Sequence, residues 1–475
     1  MQRVREREVT FDVPADWVMP DSMPPVRGGD RVVEQVRRLD STYFDTASEG
    51  LRLFGITLRR RLGDEGTGWQ LKVPNGTARI ELQSGSTTRT VPRELADAVS
   101  ALQGRDDLAP VATLSTIRTA RRVLNSDGDL VLEIADDAVQ STQGDESTFR
   151  EWREIEIELG SAGSEKALRK AGKWLRAAGA TPSISRNKLD RALAHEAGAA
   201  SGLDRSGTVG ELVAAYVATQ CDVIACNDVG LRTGQRLVHK TRVAVRRLRS
   251  TLRVFKDVVE AEPAKVLNDE LVWYADLLGK VRDCDVLAEL LALRISELPV
   301  EQVLGPVSAD VQRSLTLERN QHWDRLGEEM AGERYQRLIG LIRVWRSCPP
   351  LTSAAEEKAT DGGDYVGRAE RKAYKRLGNA ADDVEELHRA RKALKRLRYA
   401  AELAEPADPG LASTAKKAKG LQTLLGDHQD AMVAARYLAR LGAAAGVNPD
   451  QNGFTYGVLM ANELHRAAAI RARLR

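Results

Sequence analysis

The chain has 475 residues, with 71 Lys and Arg set against 68 Asp and Glu for a formal net charge of +3, so any affinity for anions must come from local clusters. That length allows about two to four domains, each with chain enough for a substantial core. Its four cysteines lack CxxC spacing, no run resembles a signal peptide, and no segment approaches about 18 uncharged apolar residues, so a reduced cytoplasmic setting and no membrane span are expected.

Residues 1–195 alternate short β-type runs with Gly, Pro, Asp and Asn turns, as in TLRRRL at 57–62, WQLKV at 69–73, RIELQ at 79–83, LVLEIA at 130–135 and WREIEIEL at 152–159. Side chains at i and i+2 share one face of a strand. Glu6 and Glu8 therefore point the same way, as do Arg59 and Arg61, Arg79 and Glu81, and Glu154, Glu156 and Glu158. The positions between them are mostly apolar. The pattern fits either an amphipathic sheet with a solvated charged face, or a barrel whose interior carries both signs of charge. In the second case Arg and Lys would grip phosphate oxygens while carboxylates held hard divalent cations.

This segment resembles a CYTH domain, the triphosphate tunnel fold. The residues that carry the resemblance are Glu6 and Glu8, YFDT at 43–46, GITLRRR at 55–61, LKVP at 71–74, ARIE at 78–81, STIRTARR at 115–122, LEIADDAV at 132–139, EIEIEL at 154–159 and SRNKLDRAL at 185–193. The resemblance implies an eight-stranded antiparallel barrel that hydrolyses or cyclises a triphosphate with Mg²⁺ or Mn²⁺. It implies metal ligation by Glu6, Glu8, Glu156 and Glu158, assisted by Asp136 or Glu154. It also implies phosphate contacts from Arg59, Arg61, Lys72, Arg79, Arg118, Arg121 and Lys188, with Glu6, Glu8 and Lys72 closest to the chemistry. The opening motif of the family is ExExK, and Thr10 stands in the place of its lysine. One lost charge-assisted contact is worth about 1.5–3 kcal/mol, enough to weaken or redirect the activity.

The stretch HEAGAASGLDRSG at 195–207 reads as a small-residue linker. Domain limits of 1–195 and 208–475 follow, with 196–207 between them. Beyond it the composition turns to Ala, Leu, Arg and Glu with helical periodicity.

Residues 239–249, HKTRVAVRRLR, recur 149 positions later as HRARKALKRLR at 388–398. On a helix, His239, Arg242, Arg246 and Arg249 fall within a stripe roughly 80° wide, and His388, Arg391, Lys395 and Arg398 form its copy. Thr241, Val245, Leu248, Leu252 and Phe255 form a second stripe suited to burial. A lone basic face is usually solvated surface, but a matched pair of such ladders points to an extended polyanion. LLGKVRD at 277–283 and LLGDHQD at 424–430 form a second repeat, and each reads as a helix end with a Gly cap.

Residues 208–475 resemble a CHAD domain. That resemblance implies two pseudo-symmetric four-helix bundles meeting over a basic groove that binds inorganic polyphosphate. The basic stretch Arg368, Arg371, Lys372, Lys375 and Arg376 fits either an extension of that groove or an exposed charged helix. His239 and His388 are read as donors to phosphate, while His195, His322 and His465 stand alone. Nucleic acid is disfavoured because only Tyr374 and Tyr399 interleave aromatics among the basic residues. The chain is thus expected to be a metal-dependent inorganic triphosphatase tied to a polyphosphate-binding domain, with polyphosphate granules as a further expected partner. The competing expectation is a catalytically weak or inactive protein that only binds polyphosphate.

Overall fold

In a computed structural model of the chain, all residues are described except 23, 25, 27, 28, 64–67, 144–147, 195–205, 381–382, 447–451 and 475. Most of the expected linker, and His195 with it, lies outside the described residues. The chain divides into two compact units, Met1–Ser201 with Asp228–Gln235, and Gly202–Asn227 with Arg236–Arg475.

The first unit is built on one antiparallel sheet. Its strands are β1 (Gln2–Glu6), β2 (Glu8–Asp12), β3 (Arg31–Asp45), β4 (Thr57–Leu62), β5 (Gly68–Asn75), β6 (Ala78–Ser84), β7 (Ala109–Leu124), β8 (Leu130–Gln143), β9 (Phe149–Leu159) and β10 (Thr181–Pro182). Helix α1 (Arg93–Gln103) precedes β7, α2 (Glu165–Ala177) follows β9, and α3 (Lys188–Ala192) follows β10. The spatial order is β1-β6-β5-β4-β3-β7-β8-β9-β2-β10. The hydrogen-bonded ladder thus holds ten strands rather than the expected eight, and its two end strands are not paired to each other. β1 lies at one end and β2 beside the other, yet only Arg7 separates them in the chain.

Strand parity decides what each face of the sheet does. Phe11, Leu132, Ile134, Ile155 and Ile157 pack under Leu168, Ala171 and Leu175 of α2, whose first turn is capped by Ser164 accepting a hydrogen bond from the Ala167 amide. Gly172 lets the helix settle, since a Cβ there would stand 3.3 Å from the Phe11 ring. The opposite, charged face is equally sequestered: Glu81 is 1%, Asp137 0% and Glu154 3% exposed, and Arg59, Arg118 and Lys188 are also buried. A solvated amphipathic sheet would not hide its charges, so that reading is excluded for this face.

The second unit takes α4 (Val209–Arg232) as far as Asn227, followed by α5 (Val238–Val254), α6 (Ala261–Ser296), α7 (Val307–Ala331), α8 (Glu333–Ser347), α9 (Gly362–Asn379), α10 (Val384–Ala404), α11 (Leu411–Gly446) and α12 (Phe454–Ala472). By length and composition alone α4 could cross a membrane, but it carries Glu211, Asp222 and Asp228, and more than half of its most apolar stretch is buried inside the protein, as in a core helix. The apolar stripe of α5 is buried as expected, with Thr241, Val245, Leu248 and Phe255 all fully covered and Phe255 stacked 5.1 Å from Tyr365. A shared core joins Leu287 and Leu291 of α6, Val311 and Leu315 of α7, Ala434 and Leu438 of α11, and Leu459 of α12.

The repeated Leu-Leu-Gly element is not a helix end. Gly279 and Gly426 lie inside two uninterrupted 36-residue helices, α6 and α11. Their role comes from the other repeat: a Cβ on Gly279 would stand 3.4 Å from the Arg242 guanidinium, and one on Gly426 3.1 Å from that of Arg391. Each glycine is the place where an arginine from the neighbouring histidine helix lies against bare backbone.

Candidate functional site

Short helix α3 fixes the centre of the first unit's charged interior. Asn187 caps it by accepting from the Asp190 amide, and Leu189 and Ala192 pack on Tyr43, Ala112, Leu114 and Val139. Lys188 is thereby driven among three carboxylates, 2.9 Å from Asp137, 2.7 Å from Glu154 and 2.5 Å from Glu156. Arg118 adds a forked contact to Asp137 at 2.8 and 2.7 Å and reaches Glu156 at 2.6 Å. Both cations hold Glu156 well below the usual carboxylate range against the cost of its burial, and hold Asp137 down as well.

A second cluster surrounds Lys72, 2.6 Å from Glu6 and 3.1 Å from Glu81, while Arg79 is 3.1 Å from Glu8. Burial, together with the Glu81 and Glu158 carboxylates, pushes Glu6 up to about 8, whereas Lys72 pulls Glu81 down to about 2 despite burial. Burial also raises Glu158, which has no ion pair among the described residues and sits near Glu8, Glu133 and Glu156. This is a crowded, under-neutralised group of hard oxygen donors, the chemistry that Mg²⁺ and Mn²⁺ select, so the residues present fit such an ion. Asp137, Glu154 and Glu156 are also spaced as ligands are, but there an ion would have to displace the Lys188 ammonium.

The cation side is crowded too. Arg59 donates to Gln70 at 2.7 Å and to the Tyr43 hydroxyl at 3.1 Å. Burial tends to raise the Tyr43 phenol, but Arg59, Arg61 and Lys188 outweigh it and lower it. Arg61 is in no ion pair among the described residues. Burial, then Arg59 and Arg118, push it down to about 10.

The structure brings Glu6, Glu8, Arg59, Arg61, Lys72, Arg79, Arg118, Glu154, Glu156, Glu158 and Lys188 into this interior. Two residues named from sequence fall elsewhere. Asp136 pairs with Arg153 at 2.7 Å on the opposite face, and Asp137 takes the inward position. Arg121 pairs with Glu34 at 2.9 Å and donates to the Pro20 carbonyl, while Arg122, 3.7 Å from Glu133, shares the parity of Arg118. Glu133, Tyr43 and Gln70 also belong to the interior and were given no role from sequence, while Glu81, placed beside Arg79 on the charged face, was given no ligand role.

In the second unit the two basic ladders meet through α5 and α10. Burial, then Arg391, Arg246 and Arg242, push Lys395 down to about 7. Burial and neighbouring cations likewise lower His239 and His388. Asp283, 3.7 Å from Arg242, and Asp430, whose charge acts on Arg391, stand four residues beyond each glycine. Arg398 departs from the expected ladder, since it pairs with Glu402 at 2.7 Å and stacks on Tyr399, as do Arg246 and Arg247. Arg249 instead joins Arg253, Arg376 and Arg396 in a second group. Burial and mutual repulsion push Arg396 down to about 10. Lys372 on α9 lies near the same cations, Arg253, Arg376 and Arg396.

The CYTH family model matches residues 30–192 and the CHAD family model residues 215–439. An uncharacterized protein of Mycobacterium tuberculosis, Rv2226, is 32% identical over 99% of this chain and 94% of its own length. Among solved structures, PptA from Streptomyces chartreusis is 25% identical with a TM-score of 0.47, covering 57% of this chain and 98% of that one. The CHAD domain from the plant Ricinus communis is 28% identical with a TM-score of 0.46, covering 58% and 94%. The charged interior of the first unit and the paired basic helices of the second are thus parts of a chain that belongs to the two-domain family in which a CYTH domain is followed by a CHAD domain.

Proposed function

We propose that the first unit wraps its sheet into an eight-stranded tunnel, with β1 and β2 counting as one strand and the two-residue β10 set aside, and hydrolyses inorganic triphosphate or short polyphosphate there. The single observation that carries this reading is Arg61, a half-buried cation with no carboxylate partner among the described residues, held next to Arg59 and Arg118. Crowded cations repel, and a phosphate chain relieves the repulsion. Arg59, Arg61 and Arg118 bind and orient the chain, Lys72 and Arg79 meet its oxygens beside Glu6 and Glu8, and the dry walls exclude bulk water. Glu6, Glu8 and Glu158 would hold a divalent ion, which would supply charge neutralisation on the reacting phosphoryl group. Thr10 lies directly opposite Glu156, which Lys188 neutralises, so the missing lysine does not orphan that carboxylate. The test is phosphate release from tripolyphosphate with Mg²⁺ or Mn²⁺. Release that stops on chelation supports the reading; none with either ion, but retained polyphosphate binding, favours a binding protein.

Arg61→Ala is expected to leave thermal stability unchanged or raised, because it removes a repelled cation. It should weaken tripolyphosphate binding by about 10- to 150-fold, the equivalent of one charge-assisted contact of about 1.5–3 kcal/mol, as read by calorimetry.

The second unit, on the same proposal, binds inorganic polyphosphate along Arg242, Arg246, Arg391 and Lys395, with His239 and His388 as neutral donors. Two sites for one polymer give a tethered substrate a high effective concentration, including at a granule surface. Lys395 begins half-protonated near neutral pH, so binding must take up a proton above it. Affinity for polyphosphate is expected to fall as pH rises from about 7 to 9, at most tenfold per pH unit. Lys395→Arg should flatten that profile; an unchanged slope in binding titrations would remove Lys395 from the contact.

A further inference from the structure

Away from both sites, the α6–α7 pair carries a set of donors that neither activity uses. Cys284 on α6 is buried, and Glu318 and His322 stand one turn apart on the facing side of α7. One sulfur, one carboxylate oxygen and one imidazole nitrogen all lie within 4.8 Å of one another, with His322 Nε2 3.9 Å from Glu318 Oε1. A tetrahedral ion with ordinary Zn–S and Zn–N lengths needs its ligand atoms roughly 3.3–3.6 Å apart, so side-chain rotations of about an ångström complete the geometry. The α6–α7 backbone is already fixed by the core of Leu287, Leu291, Val311 and Leu315.

The surrounding charges leave room for a cation. Arg319 is held by Asp285 at 2.8 Å and stacked on Trp323. Arg440 reaches Glu318 only at 3.5 Å and is itself largely exposed. Glu318 and His322 are partly exposed, which gives an ion an entry path and a solvent molecule for its fourth position.

We propose that Cys284, Glu318 and His322 form a site for a borderline-soft divalent ion of the Zn²⁺ class, bound as thiolate, carboxylate and neutral imidazole, with the thiol proton released to solvent. Such an ion would staple α7 to α6 one residue beyond Asp283, the partner of Arg242, and so stiffen one wall of the basic groove. The donor set differs from that of the tunnel, which offers only oxygen, and the proposal stands whether or not the tunnel is catalytic.

The test is Co²⁺ titration of the chelator-stripped full-length protein. A thiolate-to-cobalt charge-transfer band at one equivalent, abolished by added Zn²⁺ and absent from Cys284→Ser, is the expected result. Glu6→Gln/Glu8→Gln should keep the band. Absence of the band in the parent, or its persistence in Cys284→Ser through Cys221, Cys226 or Cys348, overturns the proposal. If Cys284→Ser fails to fold, His322→Ala on the accessible side of α7 decides: an unaltered band there is equally fatal.

Discussion

Glu6→Gln/Glu8→Gln is expected to lower phosphate release from tripolyphosphate by about a thousandfold or more while leaving the fold intact. The two carboxylates would hold the divalent ion, and losing an ion that neutralises a reacting phosphoryl group removes several kcal/mol of transition-state stabilisation. The Glu6 substitution should change stability little for a specific reason, and the Glu8 substitution loses only its ion pair with the partly exposed Arg79. Burial and its acidic neighbours push Glu6 up to about 8, so at pH 7 the metal-free protein already carries it largely neutral, and glutamine mimics that form. The same shift sets a pH dependence. Divalent ions must expel the Glu6 proton, so metal affinity should tighten as pH rises towards and through about 8. Parallel measurements of phosphate release and urea midpoint separate the outcomes; a folded double variant with full turnover would place the metal elsewhere.

Lys188→Met should do the reverse and damage the fold most. The ammonium sits within 2.9 Å of Asp137, Glu154 and Glu156, and all four groups are at least partly removed from water. Deleting the charge while filling the volume leaves carboxylates with Arg118 as their main remaining counter-ion. Breaking a buried ion pair costs about 3–5 kcal/mol. In the parent, Asp137 and Glu156 are held low, so their contribution is present above the ordinary carboxylate range and is lost as pH falls through their folded values. In the variant their folded values rise above the unfolded ones, so the penalty grows as pH climbs past about 4. Denaturant midpoints for the two proteins should therefore differ most at neutral pH and converge on acidification. A variant that adds Glu154→Gln should recover part of the loss, and equal midpoints at pH 7 would show that Lys188 does not neutralise the cluster.

Much of the charged interior was legible because strand parity is a rigid rule. Glu154, Glu156 and Glu158 share a face with one another and lie opposite Asp137, Ala135 and Glu133 across the β8–β9 ladder. The two errors came from the same rule left unapplied. Asp136 has the parity of Leu132 and Ile134, which are buried under α2, and Arg121 lacks the parity of Arg118. What parity cannot give is distance across the interior: nothing local tells that Lys72 on β5 and Glu158 on β9 act on each other. The Leu-Leu-Gly repeats failed for a tertiary reason. Glycine after two leucines looks like a cap, and only the arrival of Arg242 and Arg391 from other helices explains it inside a continuous helix. Asp45 was legible as part of YFDT but not its role, which is to accept the amides of Thr46, Leu51 and Arg52 and so shape the turn before β4.

The single residue between β1 and β2 has a consequence for how the chain is made. β1 pairs with residues 79–83 and β2 with residues 154–158, so the first dozen residues bind together two stretches that emerge from the ribosome far apart in time. At about 5–20 residues per second, β2 waits on the order of ten seconds for its partner strand. Assembly of the whole charged cavity is therefore a late, long-range event, slow by the measure of loop closure, and β2 remains an unpaired strand edge until β9 arrives.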